Sequence, residues 1–308
     1  MGIVVADKTR LCEYPTYLPV ITGYLLHKGI QPSSITFYIA YGTHAPQTWE
    51  ECLNSYGETY RQFRFIHHNS RDREGFRTLG TTSRGTGIRI SKKVVEHDLL
   101  ITFGAILHHY FAGYGGGRKL LFPGMAAYES ILQNHSLFLD FDTQTISSAC
   151  LSGDLDNNPL ALDLEEIERM LPPRLEIHAI LNSQRKVCEL YTGKNYKDFR
   201  EVCQVYDQYF RSADDKLYDL VVASAGGYPK DINFIQAHKS IHNAASFVKN
   251  GGKLIIFAEC IDGTGNPEFM DIFTWGGREE IFTRLKTDYK NNAGTALSML
   301  EKSERIEI

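Results

Sequence analysis

Short runs of β-branched and aromatic residues alternate with helical stretches along the chain. Residues 34–44, 98–109, 218–229 and 251–260 have the composition of buried strands, and the first two runs end in histidines. Residues 233–250 have the apolar spacing of a helix, and Gly251-Gly252 follows it as a stop. Strands that alternate with helices in this way predict an α/β fold with mostly parallel sheets.

The middle of the chain contains a second group of predicted elements. Residues 150–172 form a polar, turn-rich stretch and then an amphipathic helix that stops at Pro172-Pro173. Residues 176–193 resemble a hairpin, and residues 197–216 a helix that ends in a charged stretch. We therefore expect a boundary near 206–216, between an N-terminal domain at 1–206 and a Rossmann-like α/β domain at 216–308.

Both ends of the chain fall inside this pattern. The chain begins as if one strand of an α/β pattern had already passed. It stops at residues 305–308, which have the composition of the start of a strand. We expect from this that the chain is truncated at both ends and that the second domain is incomplete.

The composition narrows the possible functions. The 308 residues are 43% hydrophobic and carry a net charge of -4, so there is no basic field for nucleic acid or anionic lipid. No apolar run approaches the roughly 18 residues of a membrane span, and the N-terminus has no signal-peptide layout. Six scattered cysteines without a C-x-x-C pair are typical of reduced thiols. We expect a cytoplasmic, two-domain protein.

The stretch from 108 to 135 is the richest in chemical groups. Gly115, Gly116 and Gly117 allow close backbone approach and positive φ, and Lys119 follows as a candidate nucleophile or anion partner. The cluster is neither a Walker A loop nor a G-x-G-x-x-G turn. Taken alone, it is equally compatible with an ordinary loop and a solvated lysine.

Together with its neighbours, this stretch resembles the nickel-pincer-nucleotide-dependent lactate racemase family. The core of the resemblance is His109, Ala112, Gly113, Gly116, Gly117, Lys119, Pro123, Gly124 and His135. Three outlying pieces agree with the family in order and approximate spacing. They are Asp7-Lys8-Thr9-Arg10, Gly42-Thr43-His44, and Gly226-Gly227-Tyr228-Pro229 with Gln236 and Lys239.

The resemblance implies a fold, a cofactor and a set of site residues. The fold is two α/β domains with the active site in the cleft between them. The cofactor is nickel held in a nickel-pincer nucleotide, pyridinium-3,5-bisthiocarboxylic acid mononucleotide, covalently bound to Lys119. The implied roles are acid/base catalysis by His44 and His109, nickel ligation by His135, cofactor binding by Lys119, Gly115, Gly116, Gly117 and Asp7, and substrate binding by Arg10, Gln236 and Lys239.

The implied reaction is racemisation or epimerisation of a 2-hydroxy acid by proton-coupled hydride transfer to the tethered cofactor. The chemistry of the residues agrees, because no side chain can accept a hydride and histidine titrates near neutrality. Cofactor-making enzymes would be needed as loading partners. His108 should point away from His109 because adjacent strand residues face opposite ways. The other histidines, including His238 and His242, match nothing and are expected to be surface or helix residues.

Departures from the family pattern leave the substrate open. Ala45 stands where an arginine often follows the Gly-Thr-His element, and Gly115 replaces a frequent serine. Lactate, a larger hydroxy acid or a sugar acid are therefore all candidates. Two other functions also stay open: a nicotinamide-dependent dehydrogenase of similar fold, and a non-catalytic module that binds the nickel cofactor or a ligand.

Overall fold

A computed structural model describes residues 1–172, 174–211, 216–266 and 268–308. The chain forms two compact units, each made of several segments. Unit 1 comprises Met1–His108, Tyr114–Asn134 and Ala161–Arg211. Unit 2 comprises His109–Gly113, His135–Leu160 and Ser212–Ile308.

Strands and helices alternate over the whole described chain. The strands are β1 (Gly2–Ala6), β2 (Thr36–Ala40), β3 (Arg64–His67), β4 (Phe76–Thr81), β5 (Gly87–Ser91), β6 (Leu100–Ala105), β7 (Leu107–His109), β8 (Gly113–Gly115), β9 (Leu139–Asp140), β10 (Thr145–Ile146), β11 (Leu175–Leu181), β12 (Val187–Gly193), β13 (Tyr218–Ser224) and β14 (Val248–Phe257). The α-helices are α1 (Tyr14–His27), α2 (Trp49–Tyr56), α3 (Thr59–Gln62), α4 (Lys92–Val95), α5 (Tyr128–Ser136), α6 (Pro159–Met170), α7 (Tyr196–Phe210), α8 (Phe234–Ala245), α9 (Glu268–Asp271), α10 (Arg278–Thr287) and α11 (Ala293–Arg305). Short 3-10 turns lie at Lys8–Arg10, Pro32–Ser34, Gly117–Leu120 and Ile272–Thr274.

A six-stranded sheet forms the centre of unit 1. Its strand order is β12-β11-β6-β1-β2-β3, and all neighbours are parallel except the β11–β12 hairpin. Every residue of β1 and β6 is buried, as expected for central parallel strands covered on both faces. The predicted α/β class with mostly parallel sheets is confirmed.

The arrangement of this sheet positions the polar groups that follow its strands. The strands β1, β2 and β6 are neighbours in register, with Ala6 opposite Ala40 and Val5 opposite Phe103. Because parallel strands end at one edge, the segments after β1 and β2 emerge side by side. These two segments contain Asp7 and His44.

Unit 2 is built on the parallel pair β13–β14. Its core contains Ile241, Val248, Leu254 and Ile306, which bring α8 and the end of the chain against one face of the two strands. The opposite face exposes Leu220, Val222, Ile255 and Phe257.

Most predicted elements are present, with shifted ends. The hairpin at 176–193 is β11–β12, and the helix from 197 is α7. The helix predicted over 233–250 ends at Ala245, because Val248 is buried in the unit 2 core as the first residue of β14. The helix α6 ends at Met170, two residues before Pro172, whereas Pro173 lies outside the described residues.

The two units are not separated by a single boundary in the sequence. The predicted boundary at 206–216 includes residues 212–215, which lie outside the described residues, so it stays a prediction. Residues 109–113 and 135–160, expected in the N-terminal domain, pack in unit 2. The reason is aromatic packing: the Tyr110 ring lies 5.5 Å from that of His238, and the Tyr110 hydroxyl lies 2.7 Å from Thr295 Oγ1.

Two expectations from the sequence concern the cysteines and the possibility of a membrane span. All six cysteines are unpaired. Within the described ranges, no helix has both the length and the apolar character needed to cross a lipid bilayer.

Candidate active site

A carboxylate–imidazole pair lies where β1 and β2 end in unit 1. Asp7 caps the Lys8–Arg10 turn and is almost fully buried, and its Oδ1 accepts hydrogen bonds from the backbone N and the hydroxyl of Thr9 at 2.9 and 2.6 Å. Its other oxygen, Oδ2, lies 2.5 Å from His44 Nδ1. The His44 side chain is 41% exposed, so its second nitrogen can reach a bound molecule.

The electrostatics of Asp7 favour the ionised carboxylate. Burial by itself raises its pKa, but the charge and hydrogen bond of His44, the Thr9 hydroxyl and the charge of Arg10 lower the pKa to about 2. An ionised carboxylate only accepts hydrogen bonds, so His44 Nδ1 carries the proton and Nε2 is left as the basic nitrogen.

The turn after β2 brings His44 to this position. Gly42 adopts a φ of +57°, and its backbone N donates to the carbonyl of Gly124 at 3.0 Å. The His44 backbone N donates to the carbonyl of Tyr41 at 3.0 Å and closes the turn. The Gly-Thr-His element is therefore tied by hydrogen bonds to the segment that follows Lys119.

Lys119 lies in the 3-10 turn Gly117–Leu120 of unit 1 and is half-buried. Its backbone N donates to the carbonyl of Gly116, and its carbonyl accepts from Gly124. Burial, the charge of Arg118 and the charge of Arg10 hold the pKa of the Lys119 amine well below its usual range. A neutral amine is a nucleophile, as a covalent attachment site requires.

The three glycines before Lys119 are not equivalent. Gly116 and Gly117 adopt φ values of +79° and +51°. A Cβ at Gly116 would lie 2.4 Å from the Ala105 carbonyl oxygen, and one at Gly117 would lie 2.4 Å from Phe199. At Gly115 a Cβ would meet only the Leu107 carbonyl oxygen, at 3.8 Å. Packing within unit 1 thus requires glycine at 116 and 117 but not at 115.

In unit 2, His109 and His135 share an aromatic neighbour. The Phe111 ring lies edge-on at 4.5 Å from the His109 ring and at 5.3 Å from the His135 ring. The Tyr289 hydroxyl donates to the carbonyl of His135 at 3.2 Å, at the end of α5. Phe111 therefore brings together the predicted base and the predicted nickel ligand of this unit.

Helix α8 carries the predicted substrate-binding residues of unit 2. Asn233 caps the helix, and its side chain accepts from the backbone N of Gln236 at 3.0 Å. Lys239 Nζ donates to Gln236 Oε1 at 2.7 Å, so the amide fixes the ammonium group. The opposite side of the helix presents His238 and His242 to Tyr110, the residue next to His109.

His238 and His242 lie in helix α8, in agreement with the expectation that they are surface or helix residues. Their side chains face inwards, because His238 is fully buried and His242 is half-buried. Both pack on Tyr110, which the sequence pattern had placed in the other domain. His108 behaves as expected for a residue that points away from His109: its Nε2 lies 2.8 Å from Asp207 Oδ1 in unit 1.

The predicted site residues therefore form groups within each unit. Unit 1 contains Asp7, Arg10, His44, the three glycines and Lys119, and unit 2 contains His109, His135, Gln236 and Lys239. Sequence reasoning assigned no role to Thr9 or Phe111. The Asp-x-Thr spacing, typical of a side-chain cap, would have indicated Thr9; Phe111 follows His109 with no distinctive signal.

The chemistry of these groups is that of proton transfer and covalent attachment. Unit 1 contains an oriented imidazole, His44, and an amine whose pKa is lowered, Lys119. Unit 2 contains an imidazole, His109, beside an aromatic ring. Among the described residues there is no group of three or more His, Cys, Asp or Glu side chains that could hold a metal.

The sequence is similar to known proteins over most of its length. A family described as the lactate racemase N-terminal domain matches residues 1–147, and one described as the lactate racemase C-terminal domain matches residues 213–294. Lactate racemase from Thermoanaerobacterium thermosaccharolyticum is 31% identical over 273 residues, and lactate racemase from Lactiplantibacillus plantarum is 31% identical over 272 residues. These matches cover 88% and 87% of this chain, but the chain spans only 62% of the length of either relative.

The fold is also similar to those of solved structures. The lactate racemase apoprotein from Thermoanaerobacterium thermosaccharolyticum matches with a TM-score of 0.88 and 27% identity, over 99% of this chain and 73% of that one. A crystal structure of a protein from Thermotoga maritima matches with a TM-score of 0.71 and 17% identity, over 98% of this chain and 77% of that one. The second likeness concerns the fold alone.

Proposed function

The chain belongs to the lactate racemase family, and from this premise we propose that it acts as an isomerase, a racemase or epimerase of a 2-hydroxy acid. The substrate would be lactate or a related hydroxy or sugar acid. The observation that carries the proposal is the coexistence in unit 1 of a carboxylate-oriented imidazole, His44, and a lysine with a strongly lowered pKa, Lys119. The first suits proton transfer and the second suits covalent attachment of a cofactor.

The cofactor in this proposal is the nickel-pincer nucleotide, bound covalently through Lys119. The residues present fit such a group: the pKa of the Lys119 amine is well below its usual range, and the glycines beside it expose backbone. Imidazole suits nickel, so His135 would be its protein ligand. When bound, the group would supply the acceptor for the hydride of the substrate carbon, which no side chain can do.

The two catalytic histidines would handle the hydroxyl proton. His44 Nε2 would accept it from one enantiomer and return it to the product of the other, while Asp7 holds the Nδ1 proton and stabilises the imidazolium. We propose that His109 transfers the hydroxyl proton of the opposite enantiomer in the same way. Phe111 restricts the orientation of the His109 ring.

The substrate carboxylate needs cationic partners. Arg10 and Lys239 are our candidates, and Gln236 would hold the Lys239 ammonium through the hydrogen bond described above. Asp7 serves in this proposal mainly as the partner of His44, since its oxygens accept hydrogen bonds from His44 and Thr9.

The proposal also implies partners and a compartment. A covalently tethered nickel cofactor has to be made and transferred by biosynthetic enzymes, which we propose as loading partners. We further propose a cytoplasmic location, in agreement with the six unpaired thiols, and a small-molecule substrate without nucleic acid or membrane.

The first experiment is intact-mass and nickel analysis of protein produced together with the cofactor-making enzymes, with peptide mapping of Lys119. We expect an adduct on Lys119 and about one nickel per chain. Isomerisation of each enantiomer of lactate and of larger 2-hydroxy acids is then followed by chiral chromatography.

Two substitutions distinguish attachment of the cofactor from isomerisation of the substrate. Lys119→Arg should remove the adduct and the activity, whereas His109→Ala should abolish isomerisation and keep the adduct. An unmodified Lys119 without nickel, under conditions where the loading enzymes are active, would contradict the covalent-cofactor proposal. Reversible NAD binding with oxidation of the substrate would instead indicate a dehydrogenase, and an adduct without exchange of the substrate α-hydrogen would indicate a binding module.

A further inference from the structure

Gln47 is a buried amide in unit 1 that lies between the two segments that carry Asp7 and His44. It follows His44 by three positions, immediately before the first residues of α2, and it is 5% exposed. The reaction proposed above gives it no task. A buried amide needs partners for its oxygen and for both N–H groups, because desolvating them without hydrogen bonds is costly. The partners of Gln47 therefore show which parts of the fold it joins.

The side-chain oxygen of Gln47 holds the backbone on both sides of Asp7. Its Oε1 accepts from the backbone N of Lys8 at 2.9 Å. The Tyr56 hydroxyl lies 3.2 Å from the same oxygen and 2.9 Å from the carbonyl oxygen of Ala6, so its proton is shared between these two acceptors. Ala6 and Lys8 are the neighbours of Asp7 in the chain. The buried pair of Gln47 and Tyr56 thus fixes the backbone before and after the carboxylate.

The side-chain nitrogen of Gln47 is bound to helix α2. Its Nε2 donates to Ser55 Oγ at 3.0 Å and to the carbonyl oxygen of Glu51 at 3.3 Å. These partners determine which way the amide points, because a carbonyl only accepts hydrogen bonds and the backbone N–H of Lys8 only donates. The Lys8 ammonium group also pairs with the Glu51 carboxylate. Lys8 is therefore held at its backbone by Gln47 and at its side chain by the first turn of α2.

The backbone of Gln47 closes the loop that carries His44. Its backbone N donates to the Tyr41 hydroxyl at 3.0 Å, and the backbone N of His44 donates to the carbonyl oxygen of Tyr41 at 3.0 Å. The Tyr41 hydroxyl in turn lies 2.9 Å from Nδ1 of His67 on β3. Burial lowers the pKa of His67, so its neutral ring can accept the hydroxyl proton. The loop over residues 41–47 is thus closed at both ends on one buried tyrosine.

We propose that Gln47 is a positioning residue for the Asp7–His44 pair, because this one residue joins the turn that carries the carboxylate to the loop that carries the imidazole. The two partners are 37 positions apart in the chain, so their contact depends on what holds the two segments together. Without Gln47, the carboxylate would no longer keep the proton on His44 Nδ1, and the ring would shift towards the tautomer protonated on Nε2. The purpose of this arrangement rests on the proposed function, which uses His44 as a base.

The test is the tautomer of His44, measured by nitrogen NMR of the full chain with isotope-labelled histidine and without any cofactor. The chemical shifts of the two ring nitrogens, recorded at about pH 9 where histidine is neutral, distinguish a protonated nitrogen from an unprotonated one. The variant His44→Gln identifies the signals of His44 by their loss. In the wild-type protein we expect the tautomer protonated on Nδ1 to predominate.

Three substitutions distinguish the contact with Lys8 from the other contacts of Gln47. Gln47→Met keeps a side chain of similar length but removes the amide, and the ratio of the Nδ1-protonated to the Nε2-protonated tautomer of His44 should fall about tenfold. Ser55→Ala removes a partner of Nε2 and leaves the bond to Lys8, so the ratio should stay close to that of the wild type. Gln62→Met, at the exposed end of α3, is the matched control and should change nothing.

A wild-type His44 that is protonated mainly on Nε2 overturns the proposal without any variant. An unchanged ratio in Gln47→Met also overturns it, and so does an equal fall in Ser55→Ala, which would assign the effect to the packing of α2. If Gln47→Met does not fold, hydrogen exchange of the Lys8 backbone amide in the wild type decides: slow exchange supports the proposal, and exchange as fast as in an unfolded chain overturns it. Absence of a Lys119 adduct or of isomerisation would contradict the proposed function and leave the tautomer ratios unaffected.

Discussion

At the scale of single residues, the orientation of His44 depends on one buried carboxylate. Histidine has two tautomers, and only a partner that accepts from Nδ1 leaves Nε2 basic. Asp7 is the partner that does this, and Thr9 occupies its other oxygen. In the proposed reaction, proton transfer by His44 therefore depends in part on a residue that need not touch the substrate.

Replacing Asp7 with asparagine should slow isomerisation by about ten- to a hundredfold, because the amide holds the imidazole less well and no longer stabilises the imidazolium. Since the two enantiomers have equal free energy, kcat/KM should fall equally in both directions. Initial rates from each enantiomer measure this. Thr9→Val, which removes only the hydroxyl contact, should have a much smaller effect, and equal losses in both variants would argue against the role of the His44 contact.

Gly117 and Gly115 provide a second contrast between neighbouring residues. Gly117→Ala should destabilise the protein by about 2–4 kcal/mol, because the new Cβ meets Phe199 and φ is positive. Gly115→Ala should stay within about 0.5 kcal/mol of the wild type. Urea unfolding of both variants tests this, and a destabilised Gly115→Ala would show that the described space around that residue is not available.

At the scale of elements, the sequence was a good guide where burial leaves a periodic signature. The strands around 36–40, 100–105 and 218–224 and the helices α7 and α8 lie where apolar runs and spacing predicted them, and β14 begins three residues before the predicted run at 251–260. The helix predicted over 233–250 was wrong in its last residues because Val248 is equally acceptable in a helix and in a buried strand. Only the tertiary pairing with Tyr218 decides that case.

The candidate site was predicted less completely than the fold. The motif residues could be located by their order and spacing, but their partners could not. Phe111 has no distinguishing sequence environment, and its importance arises from its contacts with His109 and His135. A histidine on a helix, such as His238, gives no sign in the sequence of which side faces the core.

The environment of His242 on α8 predicts that the folded protein is destabilised by acid. Burial and the charge of Lys302 lower the pKa of His242 from its ordinary 6.5 to about 3. In the unfolded chain this histidine binds a proton below about pH 6.5, so folding stability is complete above that pH and declines as the pH falls towards 3. At pH 5 the loss should be roughly 1–2 kcal/mol.

The measurement is the free energy of unfolding in urea at pH 7 and pH 5. His242→Gln should reduce the difference between the two pH values, and His27→Gln, at the exposed end of α1, should leave it unchanged. The same pH dependence in His242→Gln and wild type would assign the acid sensitivity to other groups.

At the scale of the whole molecule, each unit is assembled from distant parts of the chain. Tyr110 and Phe138 precede α6 in the sequence, yet they pack with residues of α8 and α11 in unit 2. A cut at the boundary suggested by the sequence would therefore separate these aromatic residues from their partners.

This predicts that residues 1–211 and 216–308, produced separately, will each be poorly soluble or molten. The first fragment would expose the ring of Tyr110, and the second would lack the residues that cover His238 and His242. Near-UV circular dichroism and two-dimensional NMR of the separate and co-expressed fragments test this. Dispersed, native-like spectra from either fragment alone would contradict it.

The hydrogen bond between Tyr110 and Thr295 also has a consequence during protein synthesis. The two residues are 185 positions apart, and translation adds about 5–20 residues per second. Tyr110 thus leaves the ribosome roughly 10 to 40 s before its partner is made. For that interval the aromatic segment after His109 lacks its partners on α8 and α11, and we expect a holding chaperone to bind there.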